Sequence, residues 1–276
     1  MPGEKNLKPE AVRAFQKTIY QYYREHTRKL PWRETHNPYQ ILISEIMLQQ
    51  TPVEQVMRKY GQFIAAFRDF ASLAQAPLRE ILRVWQGLGY NRRALALKHI
   101  AEIVVSKYQG SLPCDLEALL RLPGIGRASA SAVLTFAFNE PTVFIETNIR
   151  AVFIHFFFEN RAGVKDREIH PLVASTLDRS NPQTWYYALM DYGAMVKRKY
   201  RNPGRRSAHY HRQSSFRGSN RQIRGMILRA LLEEPQTSLL ELVQKLKTNG
   251  EQLERTISEL QKEGLIEKRG RGLAIG

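Results

Sequence analysis

Apolar residues recur at helical spacing along most of this 276-residue chain. The stretches 10–25, 38–67 (broken at Pro52), 70–76, 78–86, 91–108, 116–122, 127–138, 147–158 and 185–195 carry large apolar side chains three and four apart, the stripe of a helix with one face in a core. No alternating strand pattern interrupts them before residue 200, and Gly- and Pro-rich turns separate them at Gly87-Leu88-Gly89, 110–113, 122–126 and Ser180-Asn181-Pro182. The pattern predicts an all-α domain over residues 1–200. Further on, Ile223, Ile227, Leu228 and Leu231, then Leu239, Leu242, Val243 and Leu246, then Leu253, Ile257 and Leu260 predict three amphipathic helices. The tail LIEKRGRGLAIG reads as two short strands joined by Arg269, Gly270 and Arg271. Three helices and a basic hairpin predict a winged-helix-like module over residues 221–276, whose wing would touch a phosphate backbone. A small protein-interaction domain of the same shape is the alternative.

Composition narrows the class. With 43% hydrophobic and 25% charged residues the chain reads as globular, neither collagen-like nor disordered. Its most apolar runs, 131–138 and 151–158, fall far short of the ~20 residues of a membrane span. The N-terminal MPGEKNLKPE lacks the apolar core of a secretory signal. These features predict no membrane partner and a cytoplasmic, nucleoid-associated protein. One cysteine, Cys114, excludes an intrachain disulfide and cannot alone hold zinc or an iron–sulfur cluster. It is expected half-buried near a helix start.

The net charge of +16 is concentrated. From Lys197 to Arg224 ten Lys and Arg residues occur without one carboxylate, interleaved with Tyr200, Tyr210 and Phe216. Such a block repels itself and gains free energy by releasing counterions from a polyphosphate, so nucleic acid is the expected partner. Lys197, Arg198, Lys199, Arg201, Arg205 and Arg206 are its leading candidates for contact, with 201–220 as a basic linker touching DNA. An acidic membrane fits less well, because no amphipathic apolar face accompanies the charges. His209 and His211 have no Cys or carboxylate close by in sequence, which favours a phosphate or solvent role, and His155 reads as a core residue.

The most specific local signal is Leu122-Pro123-Gly124-Ile125-Gly126-Arg127, between two helical segments. Glycines two apart allow a tight turn that presents backbone amides, at a helix N-terminus, to a phosphate. It resembles the turn of a helix-hairpin-helix motif, although a plain interhelical turn explains the string alone equally well. Around it, in order, stand Leu30-Pro31-Trp32-Arg33, Asn37-Pro38-Tyr39, Ser44-Glu45-Ile46-Met47-Leu48-Gln49-Gln50-Thr51, Gly87-Leu88-Gly89-Tyr90 and Asp191-Tyr192-Gly193-Ala194-Met195. Over residues 25–196 this series resembles the adenine-excising MutY branch of the helix-hairpin-helix (HhH-GPD) DNA glycosylases.

The resemblance implies a fold of two helical subdomains with the active site between them, and double-stranded DNA with a mispaired or damaged base as partner of a monomer. A base inside a stacked duplex must be flipped out before its glycosidic bond can be attacked. Gln49, Gln50 and Tyr90 match the residues that fill the gap, and Arg28, Trp32, Arg33, Leu48 and Tyr187 those of the base pocket. Cleavage through an oxocarbenium-like state calls for an acid and a second carboxylate. Glu45 matches the acid, and burial on an otherwise apolar helix should raise its pKa. Glu146, with Asn148 beside it, matches the carboxylate that steadies the sugar cation.

Four departures stand out. Glu146 replaces the family's Asp, on a longer arm. Ala128 stands where strand-cleaving relatives carry the Schiff-base Lys, which predicts a monofunctional enzyme. Tyr187 replaces a hydrogen-bonding Glu or Gln, which opens two alternatives: excision of G-mismatched thymine or uracil, or of a damaged purine such as hypoxanthine. The four cluster cysteines align with Lys197, Gly204, Ser207 and Gln213, so no metal or cofactor is expected. Residues 221–276 also do not resemble the Nudix-like domain with which MutY proteins read oxidised guanine. A DNA-damage-binding protein without catalysis is the alternative outside the enzymes, weighed against by the retention of both Glu45 and Glu146.

Overall fold

The computed structural model describes residues 7–212, 215–270 and 272–276. Gln213, Arg271 and the first six residues of the N-terminal reading lie outside them. Helix starts follow local chemistry. Pro9, Pro38 and Pro182 each open a helix, where a missing amide hydrogen costs nothing. Asp69 and Ser72 close a capping box, as do Ser238 and Glu241, while Ser219 and Asn249 cap with their side-chain oxygens.

In chain order the helices are α1 (Pro9–His26), α2 (Pro38–Leu48), α3 (Val53–Ala66), α4 (Phe70–Gln75), α5 (Leu78–Trp85), α6 (Arg92–Tyr108) and α7 (Leu116–Leu120). There follow α8 (Arg127–Phe138), α9 (Thr147–Phe157), α10 (Asp166–Thr176), α11 (Pro182–Lys199), α12 (Asn220–Glu233), α13 (Leu239–Leu246) and α14 (Gly250–Lys262). Strands β1 (Ile266–Arg269) and β2 (Gly272–Ile275) pair antiparallel, with Ile266 opposite Ile275 and Arg269 opposite Gly272. The pair is the one sheet among the described residues.

Two compact units result. The first comprises Met1–Ile41, Cys114–Leu120 and Ile125–Arg212. Its core joins Phe15 and Ile19 of α1, Phe136 of α8, Val152 and Phe153 of α9, Leu172 of α10 and Trp185 of α11. Phe15 meets Phe153 and Trp185 with ring centroids 5.4 and 5.8 Å apart, within the range of favourable aromatic contact. Helices α9 and α11 approach backbone to backbone because position 193 is glycine. A Cβ there would lie 2.5 Å from the Asn148 carbonyl oxygen.

The second unit comprises Leu42–Pro113, Arg121–Gly124 and Gln213–Gly276, so the C-terminal helices share a unit with α3–α6. Phe63 of α3 and Trp85 of α5 meet edge to face at 5.7 Å in its core. Arg79 donates to the Leu232 carbonyl at 2.8 Å. Arg92, on α6, and Arg224, on α12, both pair with Glu263, just past α14. Three helices followed by a hairpin is the order read from the sequence, and a single bridge from Thr237 to Leu273 adds to it.

Two expectations are corrected. Helix α10 was not foreseen, because Pro171 sits inside it and Pro removes a helical hydrogen bond. Its buried face of Ile169, Leu172, Val173 and Thr176 outweighs that loss. Cys114 is exposed rather than half-buried, ahead of α7 instead of packed against it.

Candidate active site

Helix α2 is apolar nearly all round: Ile41, Leu42, Ile43, Ser44, Ile46 and Met47 are buried. Glu45 is half-buried among them, the position the sequence assigned to the acid. Leu48 and Gln49 are half-buried at the helix end, and Gln50 is exposed. Gln50 has φ +54° and Tyr90 has φ +48°, left-handed backbone that side chains other than glycine rarely adopt. Such conformations persist where surrounding contacts enforce them and cluster at functional sites.

Here the enforcing residue is Arg93, which sequence reasoning missed. Its buried guanidinium donates to the carbonyls of Ile46 (2.9 Å), Met47 (2.8 Å) and Gln49, and to Thr51 Oγ1 (2.9 Å). It also donates to the carbonyls of Leu88 (3.2 Å) and Gly89 (3.1 Å). One side chain therefore caps the Ile46 and Met47 carbonyls at the end of α2 and ties them to the turn carrying Tyr90. Burial pushes the Arg93 pKa down to about 10. The one signal for it in sequence was an arginine in the first turn of a helix, which otherwise reads as solvated.

In the hairpin, Leu122 and Ile125 are buried anchors, whereas Gly124, Gly126 and Arg127 are exposed. Gly124 has φ +75°, and a Cβ there would press on Ala96 at 3.1 Å, so glycine is required twice over. Gln49 Nε2 reaches the Gly124 carbonyl at 3.4 Å. Gly126 offers no capping side chain to α8, which leaves the amides of that helix start able to take an anion. Ala128 is exposed in the first turn of α8.

Glu146 is the N-cap of α9. Its Oε1 accepts from the amides of Asn148 (2.7 Å) and Ile149 (2.8 Å). Its Oε2 accepts from Asn148 Nδ2 (3.2 Å) and Thr147 Oγ1 (3.1 Å). The longer arm of Glu thus curls back onto its own helix, and two backbone amides fix the carboxylate at the positive end of the helix dipole. Lys197 Nζ donates to Asn148 Oδ1 at 3.1 Å, orienting the side chain that supports Glu146.

Two of the residues matched to a base pocket, Arg28 and Arg33, meet at Asp191. Arg33 holds its carboxylate with two bonds of 2.8 Å, and Arg28 donates through both Nε and its backbone amide. Burial alone would raise the Asp191 pKa, but the guanidinium groups of Arg33 and Arg28 hold it below the usual carboxylate range. Arg33 also lies over the Tyr187 ring at 4.6 Å, and Tyr187 stacks on Phe136 at 4.6 Å. Trp32 and Tyr187 are buried, and Arg28 is partly exposed. Asp191 belonged to a quoted motif, but its role as the acceptor of this cluster was missed: spacing does not pair residues 163 apart.

Along the basic stretch, Arg198, Lys199, Arg201 and Arg205 are exposed. Arg206 donates to the carbonyls of Phe158 (2.8 Å) and Ile154 (3.3 Å), closing the end of α9. His155 is half-buried, its ring 4.7 Å from that of Tyr200. Burial, followed by the charge of Arg206, lowers its pKa. At the positions matched to cluster cysteines stand an amine bonded to Asn148, a glycine in a 3-10 turn and Ser207, whose amide donates to Gly204. No thiolate stands among these three, so they do not fit an iron–sulfur cluster.

The profile of HhH-GPD superfamily base excision DNA repair proteins matches residues 43–170. An adenine DNA glycosylase of Mycolicibacterium smegmatis is 32% identical over 278 residues, covering 92% of this chain and 93% of that protein. The chain belongs to the HhH-GPD superfamily, on its adenine DNA glycosylase branch. An adenine DNA glycosylase of Buchnera aphidicola subsp. Baizongia pistaciae is 37% identical over 187 residues, 66% of this chain. The match spans 52% of that relative, about half its length. Among solved structures, a thermostable thymine-DNA glycosylase superposes with a TM-score of 0.63 at 27% identity, covering 70% of this chain and 91% of that one. The all-α glycosylase fold expected from the sequence is the fold observed. Among the described residues no helix is long and apolar enough to cross a membrane.

Proposed function

We propose that this chain hydrolyses the N-glycosidic bond of a flipped, mispaired adenine in double-stranded DNA, acting as a monofunctional monomer. The observation that carries the reading is the Glu146 carboxylate, fixed by the amides of Asn148 and Ile149 at the start of α9. A carboxylate held at one place by backbone donors can steady a developing sugar cation without reorganising during the reaction. Glu45 gives its proton to N7 of the base, and the C1′–N9 bond breaks with its electron pair leaving on the base. Water then adds at C1′ and releases a proton. Asn148 supports the carboxylate. Arg28, Trp32, Arg33, Leu48 and Tyr187 shape the base pocket, and Gln49, Gln50 and Tyr90 fill the gap in the stack.

In this reading the amides around Gly124, Ile125 and Gly126, with Leu122 as their anchor, take one phosphate beside Arg127. Lys197, Arg198, Lys199, Arg201, Arg205 and Arg206 supply the long-range attraction that makes binding steeply salt-dependent. Functionally the chain divides into a glycosylase portion, 1–200, a basic linker, 201–220, and a winged-helix-like module, 221–276, working beside the nucleoid. The test is single-turnover base release from A·G, A·8-oxoguanine, T·G, U·G and hypoxanthine·T duplexes by the natural protein and by Glu45→Gln. Release of adenine that vanishes in the variant supports the reading. Release of thymine that survives the substitution assigns the second reading, favoured by Tyr187, since a pyrimidine has no N7 to protonate. Tight binding without release from any duplex overturns both.

A further inference from the structure

Gly193 and Lys197 stand four apart on α11, so both lie on the same face of that helix. The glycine lets the backbones of α9 and α11 close, a Cβ there being 2.5 Å from the Asn148 carbonyl oxygen. The lysine then reaches Asn148 from one turn further on, its Nζ donating to Oδ1 at 3.1 Å. From the other end of the same amide, Nδ2 donates to Glu146 Oε2 at 3.2 Å. Asn148 is thus the middle of a line of three, from ammonium through amide to carboxylate. Arg150, a second cation near Glu146, is already engaged, since its Nε and Nη2 both donate to Asp166 at 2.7 Å.

An asparagine amide has two ends of nearly equal shape, one accepting and one donating, and its partners decide which way it points. An ammonium group has donors and no acceptor, so it can bind Oδ1 and not Nδ2. Glu146 Oε1 is tied by two backbone amides, which leaves Oε2 to be placed by side chains, Thr147 and Asn148. We propose that Lys197 is a positioning residue for the reaction: by holding Oδ1 it keeps the amide of Asn148 turned with its NH2 group toward Glu146, and so fixes the oxygen that faces the sugar cation. A cation at the far end also polarises the amide and strengthens its bond to the carboxylate. The inference rests on the reading of Glu146 as the group that steadies that cation. It gives a task to the lysine that stands where the resemblance places a cluster cysteine. Its charge still adds to the field of the basic stretch, but its ammonium group is turned inward, whereas Arg198, Lys199 and Arg201 after it are exposed.

The test uses the full chain, with single-turnover release of adenine from an A·G duplex at saturating enzyme and duplex affinity by fluorescence anisotropy on the same preparations. Lys197→Met keeps the aliphatic stem and removes the donor. Its release should fall about tenfold, the order expected of one lost charge-assisted hydrogen bond, while affinity changes by less than about threefold. Lys197→Arg, again a donor without an acceptor, should stay within about threefold of natural release. Lys197→Glu offers only acceptors, which draw Nδ2 away from Glu146, and should cost on the order of a hundredfold. In an Asn148→Ala background Lys197→Met should change release by less than about twofold, because the group it acts through is gone. The proposal is overturned if Lys197→Met releases base at the natural rate, or if its loss and that of Asn148→Ala simply multiply. It is overturned equally if affinity falls while release at saturation does not, the mark of a phosphate contact. A natural protein that releases no adenine, or a Glu146→Gln variant as fast as the natural protein, would overturn the reading beneath the proposal, and the proposal with it.

Discussion

Arg93→Ala tests whether one buried side chain positions the end of α2. The guanidinium serves six acceptors, five of them backbone carbonyls, three at the end of α2 and two in the turn at residues 88–89. Hydrogen bonds to charged groups are worth roughly 1.5–3 kcal/mol each, but they are not additive, and burying the cation offsets part of the gain. Part of that offset is visible, since Arg93 Nε is buried without a hydrogen-bond partner. Leaving a buried acceptor unsatisfied costs about 1–3 kcal/mol, and several are left here without full additivity, so the expected loss is on the order of 3 kcal/mol. For a protein of this size that corresponds to a fall in Tm on the order of 10 °C. Displacement of Gln49, Gln50 and Tyr90 by about 1 Å should lower single-turnover base release about 10²-fold. Arg93→Lys keeps the charge but offers at most three donors, so it should fall between the natural protein and alanine in both measurements. Thermal unfolding and single-turnover release on the same preparations decide the matter. A loss below about 1 kcal/mol with unchanged release would refute the reasoning, because it would show the acceptors satisfied by other means.

The remaining predictions concern the first unit and, at Gly61, helix α3 of the second. Gly193→Ala should cost about 1–3 kcal/mol, since its Cβ would lie 2.5 Å from the Asn148 carbonyl oxygen, and should lower base release with it. Gly61→Ala, with nothing within 4 Å and an ordinary helical setting, should stabilise by roughly 0.5–1 kcal/mol when both are compared by urea denaturation. Glu146→Gln retains an oxygen for the Asn148 and Ile149 amides, so stability should change by less than about 1 kcal/mol while release falls about 10²-fold. Parallel losses would leave Glu146 with a capping role alone. Asp191 has a folded pKa below its ordinary 3.8, so its contribution to stability is complete above about pH 4 and is lost as pH falls through the folded value. Urea midpoints between pH 7 and pH 3 should show this drop, and Asp191→Asn should be less stable at neutral pH and lack that component of it.

Periodicity made most of the fold legible. Amphipathic spacing placed the helices before residue 200 and the three after residue 220, because each must bury one apolar face whatever its partners are. Pro171 concealed α10, whose buried face could be recognised only against the elements it covers. The resemblance singled out Glu45, Glu146 and Asn148 as candidates, by residue type and by place in the motif order.

Tertiary structure decided the rest. That Glu146 curls back to cap α9, that Arg28 and Arg33 converge on Asp191, and that Arg93 joins two turns are pairings of residues far apart in the chain or of an arm with its own helix. Hydrogen bonds of this kind depend on the direction of side chains in space, to which spacing along the sequence is blind. The same holds for the start of α12. Arg221 and Arg224 were visible as part of a basic run, but only folding set Arg221 against Tyr90. The sequence by itself determined most of the elements, because an amphipathic stripe follows from local order, and it named the residue types on offer for chemistry. Which polar groups meet, and so which arginines clamp a structure and which face a ligand, was settled by packing.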